Sequence, residues 1–473
     1  MDPALAADLA RLPDVLQSAR DVAAREVTGL DARPVVRLGT APGPDVLPDD
    51  GVGAEGALTR FAERWAPGFS GSAGPRYLGF VTGGATPAAV AGDWLTAAYD
   101  QNASGAAGSW AAALERETVG WLRDLLGLGD AHSGAFVTGA TVSNTVGLAV
   151  AREWLGERLG VDVARDGVAA LGPVDVLSGS PHSSIGKAMS VLGLGRDRLR
   201  RVPVAPGNRE AVDVGALDAA LTELGGRPAI VVANAGTVNT VDFDDLRAVA
   251  ALRERHGFWL HVDAAFGGFA ALSPAYAHLV DGLAAADSVC VDLHKWLNVP
   301  YDAAVQFTRR RDLQVAVFHN SSPYLGPPTG DPDALHLTPE NSRRLRALPA
   351  WFSLMAYGRR GHREIVERNV ALARRLGERV AGTAGLRLLA PVRLNVVCFT
   401  LTGDPNRERV AALERAVAAT GEAFLTPTVY DGVWALRAAF SNWRTQEGDV
   451  DRVAAALAAA VAAGGARQAG AGR

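Results

Sequence analysis

Asp263 and Lys295, separated by 32 residues, could do chemistry together. Asp263 closes the run Phe258-Trp-Leu-His-Val-Asp, and Lys295 follows Ser288-Val-Cys-Val-Asp-Leu-His. Short apolar runs of this kind read as buried strands, which puts both side chains at strand ends. Their spacing suits one helical crossover between neighbouring parallel strands. A lysine just past a strand is ordinarily a solvated loop residue, and an aspartate there ordinarily caps the next helix. Here Ala264-Ala265-Phe266-Gly267-Gly268 are mostly small, so a flat ring can approach the backbone. An amine that can form a Schiff base, beside an acid that keeps a pyridine nitrogen protonated, is the pair that pyridoxal phosphate requires.

Other residues fit the same chemistry less specifically. His182, in Gly179-Ser-Pro-His-Ser-Ser, follows a strand and could stack on a cofactor ring or exchange protons near neutrality. A surface histidine is the commoner fate. Thr138-Gly-Ala-Thr-Val-Ser-Asn144 joins a strand to a helix, where free amides and a hydroxyl can cradle a phosphate. An ordinary capped connection would use the same residues. Thr237, in Asn234-Ala-Gly-Thr, lies at another strand end.

Competing motifs fail. Gly127-Leu-Gly129 and Gly193-Leu-Gly195 lack the third dinucleotide glycine, which is replaced by His132 and Arg198. Gly186-Lys187 lacks the upstream glycine of a phosphate-binding loop. The nine histidines are scattered without zinc-ligand spacing, so no metal is expected.

These side chains need a large scaffold. At 473 residues the chain exceeds one simple core, and 48% hydrophobic with 21% charged residues is ordinary for a globular enzyme. A net charge of -4 gives no electrostatic case for nucleic acid or an anionic membrane. Cys290 and Cys398 fall in apolar runs and read as reduced core residues. The start, Met-Asp-Pro-Ala-Leu, has no basic, apolar signal pattern, and the alanine-rich stretch 453–466 is too short to span a bilayer. A cytoplasmic protein is expected.

Leu5, Leu9, Leu12, Val15 and Leu16 show helical spacing before a Pro- and Gly-rich stretch over 34–53. Between about residues 74 and 310, strand candidates begin at Ala135, Val174, Arg201, Ala229, Trp259 and Ser288. Helical stretches such as 143–158, 214–224 and 244–255 alternate with them, which argues for an α/β domain with a largely parallel sheet. Residues 320–346 lack periodicity and read as a mobile active-site loop. A long helix after Trp351 leads to a smaller region with strands near Asn395 and Trp434. The expected division is 1–73, 74–350 and 351–473.

Gly-Ala-Thr-Val-Ser-Asn, Ser-Pro-His-Ser-Ser, Asn-Ala-Gly-Thr-Val-Asn-Thr, Val-Asp-Ala-Ala-Phe-Gly-Gly and Leu-His-Lys-Trp occur in that order. With Leu436-Arg-Ala-Ala-Phe-Ser-Asn near the end, the chain resembles the group II pyridoxal-phosphate-dependent amino-acid decarboxylases. That family includes the aromatic-L-amino-acid, glutamate and diaminobutyrate decarboxylases. The resemblance implies a fold-type I α/β enzyme with a smaller α+β C-terminal domain. It also implies a homodimer with active sites at the interface and the N-terminal segment wrapped over the partner. It makes Lys295 the Schiff-base lysine, Asp263 the pyridine partner and His182 the stacking histidine, with Ala265 on the opposite face. Ala140, Thr141 and His294 match phosphate positions, Thr237 a further cofactor contact, and Phe80 and Thr82 the substrate pocket.

Two departures stand out. The family's Asn-Pro-His-Lys is Asp292-Leu-His-Lys295 here, which puts an acid near the phosphate position. The loop tyrosine that helps protonate the carbanion in the aromatic branch aligns with Ala334; His336 is a nearby substitute donor and Tyr324 a more distant one. Decarboxylation of an L-amino acid to an amine is the expected reaction. Its rivals are an oxygen-dependent aldehyde synthase, an aminotransferase and a non-catalytic scaffold. Phe80, Trp110 and Phe318 could line an apolar substrate pocket, and no arginine is assignable to a side-chain carboxylate.

Overall fold

The computed structural model describes residues 1–103, 108–320 and 332–471, with side chains to residue 464. Seven strands form the large sheet: β1 (Ser133–Val137), β2 (Val176–Ser178), β3 (Leu199–Arg201), β4 (Ala229–Asn234), β5 (Phe258–Asp263), β6 (Ser288–Asp292) and β7 (Ala304–Thr308). Their order is β1-β7-β6-β5-β4-β2-β3. The pairs from β3 to β6 are parallel, whereas β7 runs antiparallel to both β6 and β1.

The sheet is covered on both faces, and the strand alternation shows how. Ile230, Val232 and Trp259 join Ile185, Met189 and Trp154 on one side. Val231, Ala233, Leu260 and Val262 join Phe136, Phe269 and Phe307 on the other. Two apolar faces explain why these strands read as continuous hydrophobic runs. The helix Ala140–Leu159 crosses the first face and is buried along most of its length.

A second sheet contains β8 (Leu386–Leu388), β9 (Val396–Leu401), β10 (Thr426–Tyr430) and β11 (Val433–Ala439), in the antiparallel order β10-β11-β9-β8. The β10–β11 turn is Asp431-Gly432, with φ of 48° and 73°, the positive-φ pair that suits a tight hairpin. The helix Ala347–Ala381 joins the two sheets and breaks at Gly358, where φ is 58°. Leu348, Ala350 and Leu354 enter the main core before the break, and Leu372, Leu376 and Val380 enter the small core after it.

The helices Pro3–Ala10, Leu12–Thr28 and Gly53–Arg64 bury none of their residues. Leu5, Leu9, Leu12 and Leu16 remain exposed. A backbone bond from Val35 to the Gly421 carbonyl, 2.8 Å, ties this arm to the small sheet.

The segment before the joining helix is fixed by a buried ion pair. Arg343 donates to both oxygens of Glu115, at 3.0 and 2.5 Å, with neither side chain open to water. Removing one partner strands the other charge, so Glu115→Ala should lower unfolding free energy by about 3–5 kcal/mol. Chemical denaturation measures this, and a loss below ~1 kcal/mol would show that water already reaches Arg343.

Candidate active site

In-register pairing brings the chemistry to one edge. Asn234 pairs with Asp263 across β4 and β5, and Asp263 pairs with Cys290 across β5 and β6. Two residues beyond Cys290, β6 ends at Asp292 and the turn Leu293–Trp296 presents Lys295. A cavity of about 500 Å³ opens there, lined by Lys295, Asp263, His182, Ala140, Ala265, His294, Thr237, Phe80 and Thr82. It is large enough for a small cofactor with a substrate. The sequence therefore named nine residues that the fold does bring together. Thr141 lies one residue from Ala140 on the first helical turn, but it is not part of the wall.

Asp263 is 6% exposed, and buried carboxylates need donors around them. Trp259, His261 and Asp263 alternate along β5 and so share the face covered by the helix 140–159. Asn144 on that helix donates its amide to Asp263 Oδ2 at 2.9 Å and to Ser184 Oγ at 3.0 Å. With the amide nitrogen so used, Asn144 Oδ1 must accept from His261 Nε2, 2.9 Å away. His261 Nδ1 is then the acceptor for Ser288 Oγ at 2.8 Å, and Ser288 accepts the Trp259 indole N–H at 2.9 Å. This directional chain requires a neutral His261. Burial lowers its pKa to about 4, more than the nearby Asp263 raises it. Gly147 leaves room for the contact, because a Cβ there would lie 2.6 Å from His261 Cε1.

The chain continues to His182. Its Nδ1 accepts from the Ser184 amide at 3.2 Å and lies 2.7 Å from Ser184 Oγ. The amide contact makes Nδ1 an acceptor, so the neutral ring carries its proton on Nε2. The ring faces the open cavity, but surrounding protein still lowers its pKa by desolvation, partly offset by Asp263.

At the other end of the cavity, the helix 140–159 starts at Gly139 without a capping side chain. Its first amides are left for a ligand, as a phosphate group needs. Asp292 is buried, with Oδ2 3.4 Å from Lys295 Nζ and Oδ1 2.9 Å from His294 Nδ1. Asp292 therefore faces the Lys295 amine and does not line the cavity, while its Oδ1 and His294 Nδ1 lie close together without forming a hydrogen bond. Lys295 Nζ also stands 5.6 Å over the Phe266 ring.

The substrate side is pinned to the lysine turn. Gly83 donates to the His294 carbonyl at 3.2 Å, and Asn298 donates to the Gly83 carbonyl at 2.7 Å. A Cβ on Gly83 would lie 1.9 Å from the Lys295 carbonyl oxygen, so only glycine allows this approach. Phe80 is held at φ 56°, a strained conformation for a bulky residue, and faces the cavity. Thr82 Oγ1 is buried without a hydrogen-bond partner. Thr237 faces the cavity too, but its hydroxyl donates to Glu210 at 2.6 Å.

Several expectations meet a different geometry. His336 is buried under its own segment, accepting from the Asn320 amide at 3.1 Å, and does not reach this cavity. Trp110 is 90% exposed, away from the wall, and Phe318 packs against Val137, Val146 and Ala304. Tyr324 lies outside the described residues. Conversely, the sequence reading missed Tyr77, Tyr301 and Arg437 as wall residues. Arg437 is buried on β11 and donates to the Val238 carbonyl at 2.6 Å, and no carboxylate among the described residues lies within ion-pair distance. A charge inside the apolar run Trp434–Phe440, within the family motif Leu436-Arg-Ala-Ala-Phe-Ser-Asn, was the available sequence signal.

A lysine, an acid and a histidine converging on the carboxyl edge of a parallel sheet define a pyridoxal-phosphate enzyme. The model of the pyridoxal-dependent decarboxylase conserved domain matches residues 55–402, and the chain belongs to that family. It acts as an amino-acid decarboxylase with pyridoxal phosphate as cofactor. The chain is 29% identical over 333 residues to the aromatic-L-amino-acid decarboxylase of Bacillus atrophaeus, covering 69% of this chain and 67% of that one. It is 26% identical over 409 residues to the phenylacetaldehyde synthase of a Rosa hybrid cultivar, covering 80% and 79%. Oryza sativa TDC, solved with PLP and tryptamine, shares the fold at a TM-score of 0.88 and 23% identity, covering 98% and 99% of the two chains.

The neutral His261 makes a prediction about acid. Its folded pKa, about 4, lies below the ordinary 6.5, so the unfolded chain binds the proton first. Its contribution is present above pH 6.5 and lost as pH falls towards 4, by about 3 kcal/mol in all. His261→Gln should flatten that part of the stability profile measured by urea unfolding at several pH values. Parallel wild-type and variant profiles would refute the assignment.

Proposed function

We infer that Lys295 carries the cofactor and that Asp263, held by Asn144, is the acid at the pyridine nitrogen. The observation behind this reading is the convergence of Lys295, Asp263 and His182 on one cavity. The residues present suit pyridoxal phosphate. Ala140, Thr141 and the free amides of the helix 140–159 would hold the phosphate with His294, and Ala265 and His182 would flank the ring. When bound, the cofactor supplies an electron sink for the pair left at Cα as carbon dioxide departs. Phe80 and Thr82 orient the substrate, and the closely pinned segment 80–84 keeps water from the lysine turn.

The substrate reading is an L-amino acid with an aromatic side chain, supported by Tyr77, Phe80 and Phe266 in the wall. Arg437 could instead receive a second acidic group, so glutamate and aspartate belong in any substrate pool. A second reaction, oxygen-dependent formation of an aldehyde, is favoured by Ala334 at the loop position and by the distance of His336 from this cavity. The similarity to a phenylacetaldehyde synthase supports keeping it.

The assembly we propose is a cytoplasmic homodimer with the division 1–73, 74–350 and 351–473. Exposed Leu5, Leu9, Leu12 and Leu16 on a weakly anchored arm support a partner surface. Two buried free cysteines suit a reducing compartment. Among the described residues, no helix is long and apolar enough to cross a membrane.

Mass spectrometry after incubating cofactor-loaded protein in air with a pool of L-amino acids should find one amine lighter than its parent by carbon dioxide. An aldehyde as sole product would establish the second reaction instead. Lys295→Ala should abolish multiple turnover, and persistent turnover would remove Lys295 from its role. Light scattering should give twice the chain mass, and Leu9→Glu with Leu16→Glu should shift it towards one chain; an unchanged dimer would place the interface elsewhere.

A further inference from the structure

We propose that Tyr301 is the proton donor to Cα in this enzyme, in place of the tyrosine whose loop position is Ala334 here. The inference rests on the decarboxylase reading above and deepens it.

The cavity needs a Brønsted acid, because carbon dioxide leaves an electron pair behind. Tyr301 belongs to the wall that also contains Lys295. Its ring stands 4.2 Å from that of His294, centroid to centroid, at 35°. The Leu293 and His294 amides both point at the Ala303 carbonyl, at 3.0 and 3.3 Å. The loop bearing Tyr301 is thereby tied to the turn bearing Lys295.

His182 also presents an N–H to the cavity and is the competing donor, whereas the remaining groups in reach are weaker candidates. Thr82 offers an unpartnered hydroxyl, but an aliphatic alcohol is a much poorer acid than a phenol. Tyr77 also lines the cavity, but it stacks on Phe424 at 4.8 Å and bridges to the small sheet. His336 is turned into its own segment. Tyr301 is 62% exposed in the single chain, and desolvation of its cavity-facing side, with Asp292 and Tyr77 nearby, pushes the hydroxyl up to about 12, so it holds its proton at neutral pH.

The step balances without a further reactant. The Cα–carboxylate bond breaks, carbon dioxide leaves and the electron pair stays at Cα. The Tyr301 O–H bond then breaks as a C–H bond forms at Cα, and the phenolate regains a proton from water. Without that donor, molecular oxygen takes the electron pair and is reduced to hydrogen peroxide, and water then releases the amino group as ammonia to leave the aldehyde.

Tyr301→Phe keeps the ring against His294 and removes only the hydroxyl. Holoenzyme of the wild type, Tyr301→Phe, Tyr77→Phe and His336→Gln would be compared in air with the amino acid that the wild type decarboxylates. Carbon dioxide, amine, aldehyde and oxygen uptake would be recorded, with cofactor affinity followed by absorbance titration. The expected result for Tyr301→Phe is unchanged cofactor affinity and an amine yield per carbon dioxide lower by about tenfold or more, with aldehyde and oxygen uptake making up the difference. An unchanged amine yield and rate in Tyr301→Phe would overturn the proposal, as would diversion only in Tyr77→Phe or His336→Gln. Loss of cofactor affinity in Tyr301→Phe would also overturn it, making Tyr301 a support for His294. Wild-type protein that releases no carbon dioxide from any amino acid would remove the decarboxylase reading itself.

Discussion

A buried carboxylate is costly unless donors surround it, and the site depends on how Asp263 meets that cost. The chain Trp259, Ser288, His261, Asn144 leaves each group in one donor or acceptor role. It works only with a neutral His261, which burial provides. It also requires the helix 140–159 to lie close on β5, which Gly147 permits. The same Asn144 reaches His182 through Ser184, so the acid and the histidine are set by one amide.

A second constraint acts on the lysine. Gly83 and Asn298 clamp the segment 80–84 to the Lys295 turn, and Ala303 clamps the Tyr301 loop to the same turn. The segment 80–84, the Lys295 turn and the Tyr301 loop are therefore joined by backbone and side-chain hydrogen bonds at one side of the cavity. Asp292, an unexpected acid by composition, sits behind these segments against Lys295 and His294. Its carboxylate lies beside the Lys295 amine and outside the cavity wall.

Several strands that sequence reading found are buried on both faces, whereas β3, expected from Arg201 and observed at Leu199–Arg201, is largely exposed. β4, β5 and β6 are runs of apolar residues ending in a polar one, and that pattern survives without tertiary information. β7 was missed although it is fully buried, because Ala304-Val-Gln-Phe-Thr carries a glutamine mid-strand. That side-chain amide is satisfied by the Phe307 carbonyl at 2.8 Å, a contact no periodicity reveals. β8 is three residues long and β10 is half exposed, so neither gives an apolar signal. The Asp431-Gly432 turn was a usable hairpin signal for β10 and β11.

Residue type and local spacing pointed to the Asp263–Lys295 pair and the parallel sheet, while the roles of His182 and Ala140 came with the family resemblance. These are properties of strand ends and βα connections, which short segments encode. Tertiary structure decided the rest of the wall, because Tyr77, Tyr301 and Arg437 reach the cavity from distant segments through packing. It also turned His336 to the Asn320 amide and Phe318 to Val137, Val146 and Ala304. A side chain's chemistry is written in its type, but the direction it faces depends on which neighbours the whole chain puts beside it.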